Sequence, residues 1–84
     1  MAEGYTKSTR YKVLDVRECV GDHSKTIILI CDEFNKVTRR RIEVHPCFTK
    51  AYKDAQLLAP GDIIMVHESY NKNGWSHHID EIEF

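Results

Sequence analysis

The sequence predicts a small, mostly β domain: five strands wound as a Greek-key barrel, with one α-helix between the third and fourth strands. Three observations carry this. Short runs of alternating or β-branched apolar residues recur at 10–20, 26–32, 37–44, 63–66 and 76–84, separated by turn-forming residues. Between the third and fourth runs, Phe48, Ala51, Tyr52, Ala55 and Leu58 recur at helical spacing, one apolar face of about three turns. The chain has 84 residues, enough for one core and no more.

Composition narrows the class. Hydrophobic residues make up 42% and charged residues 30%, a balance that fits a well-solvated small domain and excludes a disordered chain. The longest apolar run, Ile27 to Cys31, is five residues, far short of a membrane span. Residues 1–7 lack an apolar signal-peptide core, so a cytoplasmic location is expected. Cys19, Cys31 and Cys47 are odd in number and widely spaced, which favours free, buried thiols over disulfides. The net charge of −1 is unevenly spread: residues 1–42 carry net +3 and residues 43–84 net −4. One basic face is therefore compatible with an overall acidic chain.

Residues 1–9 are polar and without periodicity and read as a flexible arm anchored only by Tyr5, leaving 10–84 as a single domain. In 10–20, Leu14, Val16 and Val20 share one phase and Tyr11 and Val13 the other. That switch predicts a long strand bent near Val13–Leu14. Residues 21–25 form a turn, 26–32 a central strand apolar on both faces, and 33–36 a hairpin loop. In 37–44, Ile42 and Val44 share a face while Arg39, Arg41 and Glu43 share the other. Arg40 falls on the apolar phase, which implies a bulge or a rim position from which its side chain reaches outward. Pro46 keeps His45 extended and opens a helix over 47–59, which Pro60-Gly61 ends. The turn Pro60-Gly61-Asp62 leads into the strand at 63–66, and Asn73-Gly74 supplies the residues a type I′ hairpin turn needs before the strand at 76–84. The expected core is Leu14, Val16, Ile28, Ile30, Ile42, Val44, Tyr52, Leu58, Ile64, Val66 and Ile82.

Residues 48–84, a helix, then Gly61-Asp62-Ile63-Ile64-Met65-Val66, then a loop with Tyr70, resemble the closing half of S1-like domains of the OB-fold superfamily, as in bacterial translation initiation factor one. The resemblance covers less than half of the chain and implies an OB-like barrel plugged at one end by its helix. The first half lacks that family's Gly-rich, aromatic-rich RNA-binding run. A small SH3-like barrel is the rival fold, with a single helical turn where this chain has about three.

OB barrels that hold single strands combine a basic groove on strands two and three with aromatic platforms. Here Lys25, Lys36, Arg39, Arg40, Arg41 and Lys72 supply charge, and Phe34, Tyr70 and Trp75 supply rings in or beside the bordering hairpin loops. Binding of single-stranded DNA or RNA is thus one expectation. Each piece also has a plainer reading: Tyr70 and Trp75 as a cross-strand pair, the arginines as a solvated edge. The alternative is a protein-interaction module, either an assembly subunit or a small phage- or mobile-element-type inhibitor of a partner enzyme. Such a module is compatible with a homodimer through the strand at 76–84, unless Asp80, Glu81 and Glu83 prevent it. No cofactor is expected. No metal is either: His45 and Cys47, with Cys31 or His67, lack a paired Cys-x-x-Cys, and His77-His78 point to opposite faces. No catalytic motif stands out, since Asp22-His23-Ser24 is adjacent in sequence only and neither a nucleophile elbow nor a phosphate loop is present.

Overall fold

The computed structural model describes residues 4–21, 25–71 and 77–84. Strands β1 (Gly4–Val20), β2 (Lys25–Glu33) and β3 (Arg40–Val44) precede helix α1 (Thr49–Ala55), and β4 (Ile63–Asn71) and β5 (His77–Glu83) follow it. All strand pairs are antiparallel, in one five-stranded sheet of order β3-β2-β1-β4-β5. The expected succession along the chain, three strands, one helix and two strands, is present. β3 and β5 are the two edges of this sheet, which hydrogen bonds do not close into a barrel.

β1 organises the sheet because it serves two ladders. Its residues 4–12 pair with β4 and its residues 11–20 with β2. The expected bend is a bulge: the register passes from Val13↔Cys31 to Asp15↔Ile30 and leaves Leu14 over. Leu14 is consequently only half-buried, and the core positions of β1 are Tyr11 and Val13. The described part of the arm is ordered as strand from Gly4 onward, where Gly4↔Asn71 through Thr9↔Val66 extend the ladder with β4. A polar segment gains this order from its partner strand, which its own composition does not disclose.

The core phase of β2 is the reverse of that expected. Ile27, Leu29 and Cys31 enter the main core, whereas Ile28 and Ile30 lie on the opposite face. A run apolar on both faces gives alternation nothing to choose between. β3 starts at Arg40 rather than at residue 37, because Asn35 (φ 64°) and Arg39 (φ 43°) take left-handed backbone. The loop closes on Thr38 Oγ1, which accepts the Glu33 N–H at 2.9 Å, and on Asp32 Oδ1, which accepts the Arg39 N–H at 2.5 Å.

Helix α1 is shorter than 47–59. After Ala55 the chain tightens, with the Leu57 N–H donating to the Asp54 carbonyl at 3.0 Å and the Leu58 N–H to that of Ala55 at 3.2 Å. The helix still buries the expected face: Phe48, Ala51, Ala55 and Leu58 are in the core and Tyr52 packs against it. Gly61 (φ 101°) turns the chain back, and its N–H donates to the Val13 carbonyl at 2.8 Å while the Val13 N–H donates to that of Asp62 at 2.8 Å. In β5, Ile79 and Ile82 both face the core although three apart, because the β4–β5 register shifts between His67↔Glu81 and Glu68↔Ile79. No described helix is long and apolar enough to cross a membrane.

Candidate functional site

The two edges of the sheet are bridged by side chains. Arg40 does not reach outward from a rim; it turns inward. Its Nη1 donates to the hydroxyl of the fully buried Tyr11, and its Nη2 lies 3.5 Å from Glu68 Oε1 on β4. The same oxygen of Glu68 accepts the Tyr70 hydroxyl at 3.1 Å and lies 2.7 Å from His77 Nε2 on β5. Glu68 is completely buried, and its other oxygen, Oε2, has no hydrogen-bond partner among the described residues. One buried carboxylate thus ties β3, β4 and β5 together where no ladder joins the edges.

This cluster perturbs its members. Burial, reinforced by the charge of Glu68, pushes the Tyr70 hydroxyl above its ordinary pKa. Burial works against the charge of Arg40, but the oxygens of Tyr11 and Glu68 outweigh it and hold the guanidinium pKa above its ordinary value.

Three rings stack beside the cluster. Tyr5 lies on Tyr70 with centroids 4.9 Å apart and planes at 15°, and Tyr70 lies on His77 at 4.8 Å and 18°. Tyr5 is the outer member and is 54% exposed. The stack needs the close approach of β1 to β4 at Gly4, where a Cβ would run into the Tyr70 carbonyl oxygen. Beyond His77 the seam opens into a cleft of about 350 Å³ lined by Arg40, Arg41, Glu43, His45, Phe48 and His77. Phe48 packs edge-on against both His45 (5.5 Å) and His78 (4.6 Å).

The residues expected to bind are divided between two places. Arg40, Arg41 and Tyr70 sit at the seam, whereas Phe34, Lys36 and Arg39 sit at the β2–β3 loop. Lys25, at the start of β2, is exposed, and Lys72 and Trp75 lie outside the described residues, as does the Asn73-Gly74 turn. Carboxylates pair with three of these cations: Arg41 with Glu43 at 3.3 Å, Arg39 with Asp32 at 3.9 Å and Lys36 with Glu33 at 3.7 Å. Phe34 carries the Arg10 guanidinium over its ring at 5.7 Å. Among the described residues, no three His, Cys, Asp or Glu side chains are grouped to hold a metal ion.

Sequence reasoning missed Tyr5, Tyr11, Glu68 and His77. A signal existed for two of them. Tyr5 falls in the phase of Tyr11 and Val13, and Glu68 falls between Val66 and Tyr70 in the inward phase of β4, where a carboxylate demands a partner. The chain matches no protein family, no curated protein and no solved structure.

Proposed function

We propose that this protein is a non-enzymatic, OB-like module that binds single-stranded nucleic acid at the seam end of its sheet. In this reading the barrel is completed between β3 and β5 by side chains, through Glu68, Arg40 and His77, instead of by a ladder. The observation that carries the reading is the stacked column Tyr5–Tyr70–His77, whose outer ring is exposed and whose other end adjoins Arg40 and Arg41. A base continues the stack on Tyr5, and the neighbouring cations, including exposed Lys7 on the same face of β1, take phosphate charge. The test is a titration of an unstructured oligonucleotide, read by anisotropy at several salt concentrations. Binding that weakens with salt and falls on Tyr5→Ala supports the proposal; no binding at tens of micromolar protein and low salt refutes it.

One observation favours a protein partner instead. Leu14, Phe34, Val37 and Ile63 line a single hollow beside the middle of β1, rimmed by Lys12, Asp32, Glu33 and Lys36, and Val37 is 92% exposed. If oligonucleotides fail to bind, this apolar hollow becomes the better-supported surface. Pairing of a second copy along β5 is opposed at Ile82, whose N–H is already taken by Asp54 of α1.

A further inference from the structure

Resting on that reading, we infer that the cleft at the β3–β5 seam is a site for a phosphate monoester, the terminal phosphate of a bound strand. The cleft exists because the sheet stops short of closure, so its walls come from different edges: Arg40 and Arg41 from β3, His77 from β5, with His45 just after β3 and Phe48 ahead of α1.

Its donors are only partly used. Arg40 spends Nη1 on Tyr11 and Nη2 on Glu68, and Arg41 spends Nη2 on Glu43. Each guanidinium has five N–H donors, so both retain N–H groups for a ligand. His77 engages Glu68 through Nε2, and no hydrogen bond joins its Nδ1 to another of the described residues. His45 has its Nε2 at 3.6 Å from Glu43.

The donor arrangement selects the ligand class. Glu68 and Glu43 offset much of the charge of the two arginines, so the number of hydrogen bonds accepted, more than net charge, separates a terminal phosphate from a diester. A terminal phosphate carries about −1.5 to −2 charge at neutral pH and exposes three acceptor oxygens, so it can engage both walls at once. Glu68 is a positioning residue in this scheme: buried and with Oε2 unpartnered among the described residues, it fixes Arg40 and His77 in the cleft wall and does not itself touch the ligand. Glu43, on the cleft surface, opposes the anion.

The experiment compares three labelled strands of one unstructured sequence, with a 5′-phosphate, a 3′-phosphate or hydroxyls at both ends, by anisotropy. The expected result is that one phosphorylated strand binds about tenfold or more tighter than the hydroxyl-ended strand, about 1.4 kcal/mol per decade. Arg41→Ala removes that preference by lowering the affinity of the phosphorylated strand about tenfold more than that of the hydroxyl-ended strand, and Glu43→Gln widens it. Both side chains are exposed, so both variants should fold, which a thermal melt verifies. If all three strands bind the wild type alike, the cleft inference fails and the nucleic-acid reading stands. When no strand binds, a mononucleotide is added and followed by shifts of the His77 and Arg41 resonances. Shifts there keep the phosphate-monoester cleft and assign it to a free nucleotide; no shifts overturn the cleft together with the strand reading.

Discussion

Asp54, near the end of α1, accepts the backbone N–H of Ile82 on β5 with its Oδ2 at 3.1 Å, while its Oδ1 takes Lys50 Nζ at 2.7 Å. This bond satisfies a donor on the free edge of β5, so a helix side chain does for that strand what a neighbouring strand would do in a closed barrel. Asp54 is 7% exposed, and removing it leaves a buried N–H unpaired. Asp54→Ala should therefore cost about 1.5–3 kcal/mol by urea denaturation. Lys50→Ala, at an exposed site, should cost clearly less than Asp54→Ala.

The phase of β2 sets a second expectation. Leu29 is completely buried and Leu57 is 70% exposed. Leu29→Ala should lose about 2–5 kcal/mol, and Leu57→Ala should stay within about 0.5 kcal/mol of the parent. A loss for Leu29→Ala as small as that expected for Leu57→Ala would contradict the observed inward face of β2.

Thiol reactivity should separate one cysteine from two. Cys19 and Cys47 are exposed, whereas Cys31 is buried and burial pushes its pKa up to about 11. The thiolate is the reactive form, so at pH 8 a disulfide reagent should modify two thiols quickly and Cys31 only on unfolding. Three fast thiols in folded protein would refute this placement.

Asp80 makes stability depend on pH. The Ser69 hydroxyl donates to it, and with His78 this holds the Asp80 carboxyl below its ordinary pKa. A carboxyl depressed in the folded state adds stability above its unfolded pKa and loses it as pH falls through the folded value. Ser69→Ala should raise the Asp80 pKa, seen by NMR titration, and destabilise the protein at neutral pH. The gap between variant and parent should narrow in acid.

At the proposed site, Tyr5→Ala should weaken oligonucleotide binding by about 1–3 kcal/mol at every salt concentration, since stacking is not screened. Tyr5→Phe should retain most of the affinity. Gly4→Ala should mimic Tyr5→Ala in binding, because the new Cβ forces β1 away from the Tyr70 carbonyl and opens the stack.

The sequence by itself determined the order of elements, the inward face of α1 and the break in β1, because each is written in local patterns: period two in strands, Phe48 to Leu58 at helical spacing, a phase switch at Val13–Leu14. It left the face of β2 undecided, since Ile27 to Cys31 is apolar on both sides and only the covering layer chooses between Leu29 and Ile30. Only the tertiary structure ordered residues 4–9 by pairing them with β4, turned Arg40 inward to Glu68, and brought Tyr5, Tyr70 and His77 into one stack. The physical reason is sequence separation. The β1–β4 and β4–β5 registers place Tyr5, Tyr70 and His77 side by side, and Arg40 reaches Glu68 across edges that no ladder joins; neither composition nor periodicity encodes such pairings between distant strands. Arg39 meets Asp32 only across the β2–β3 hairpin, whereas the pairing of Arg41 with Glu43 was legible in the sequence, where the two share a strand face two residues apart.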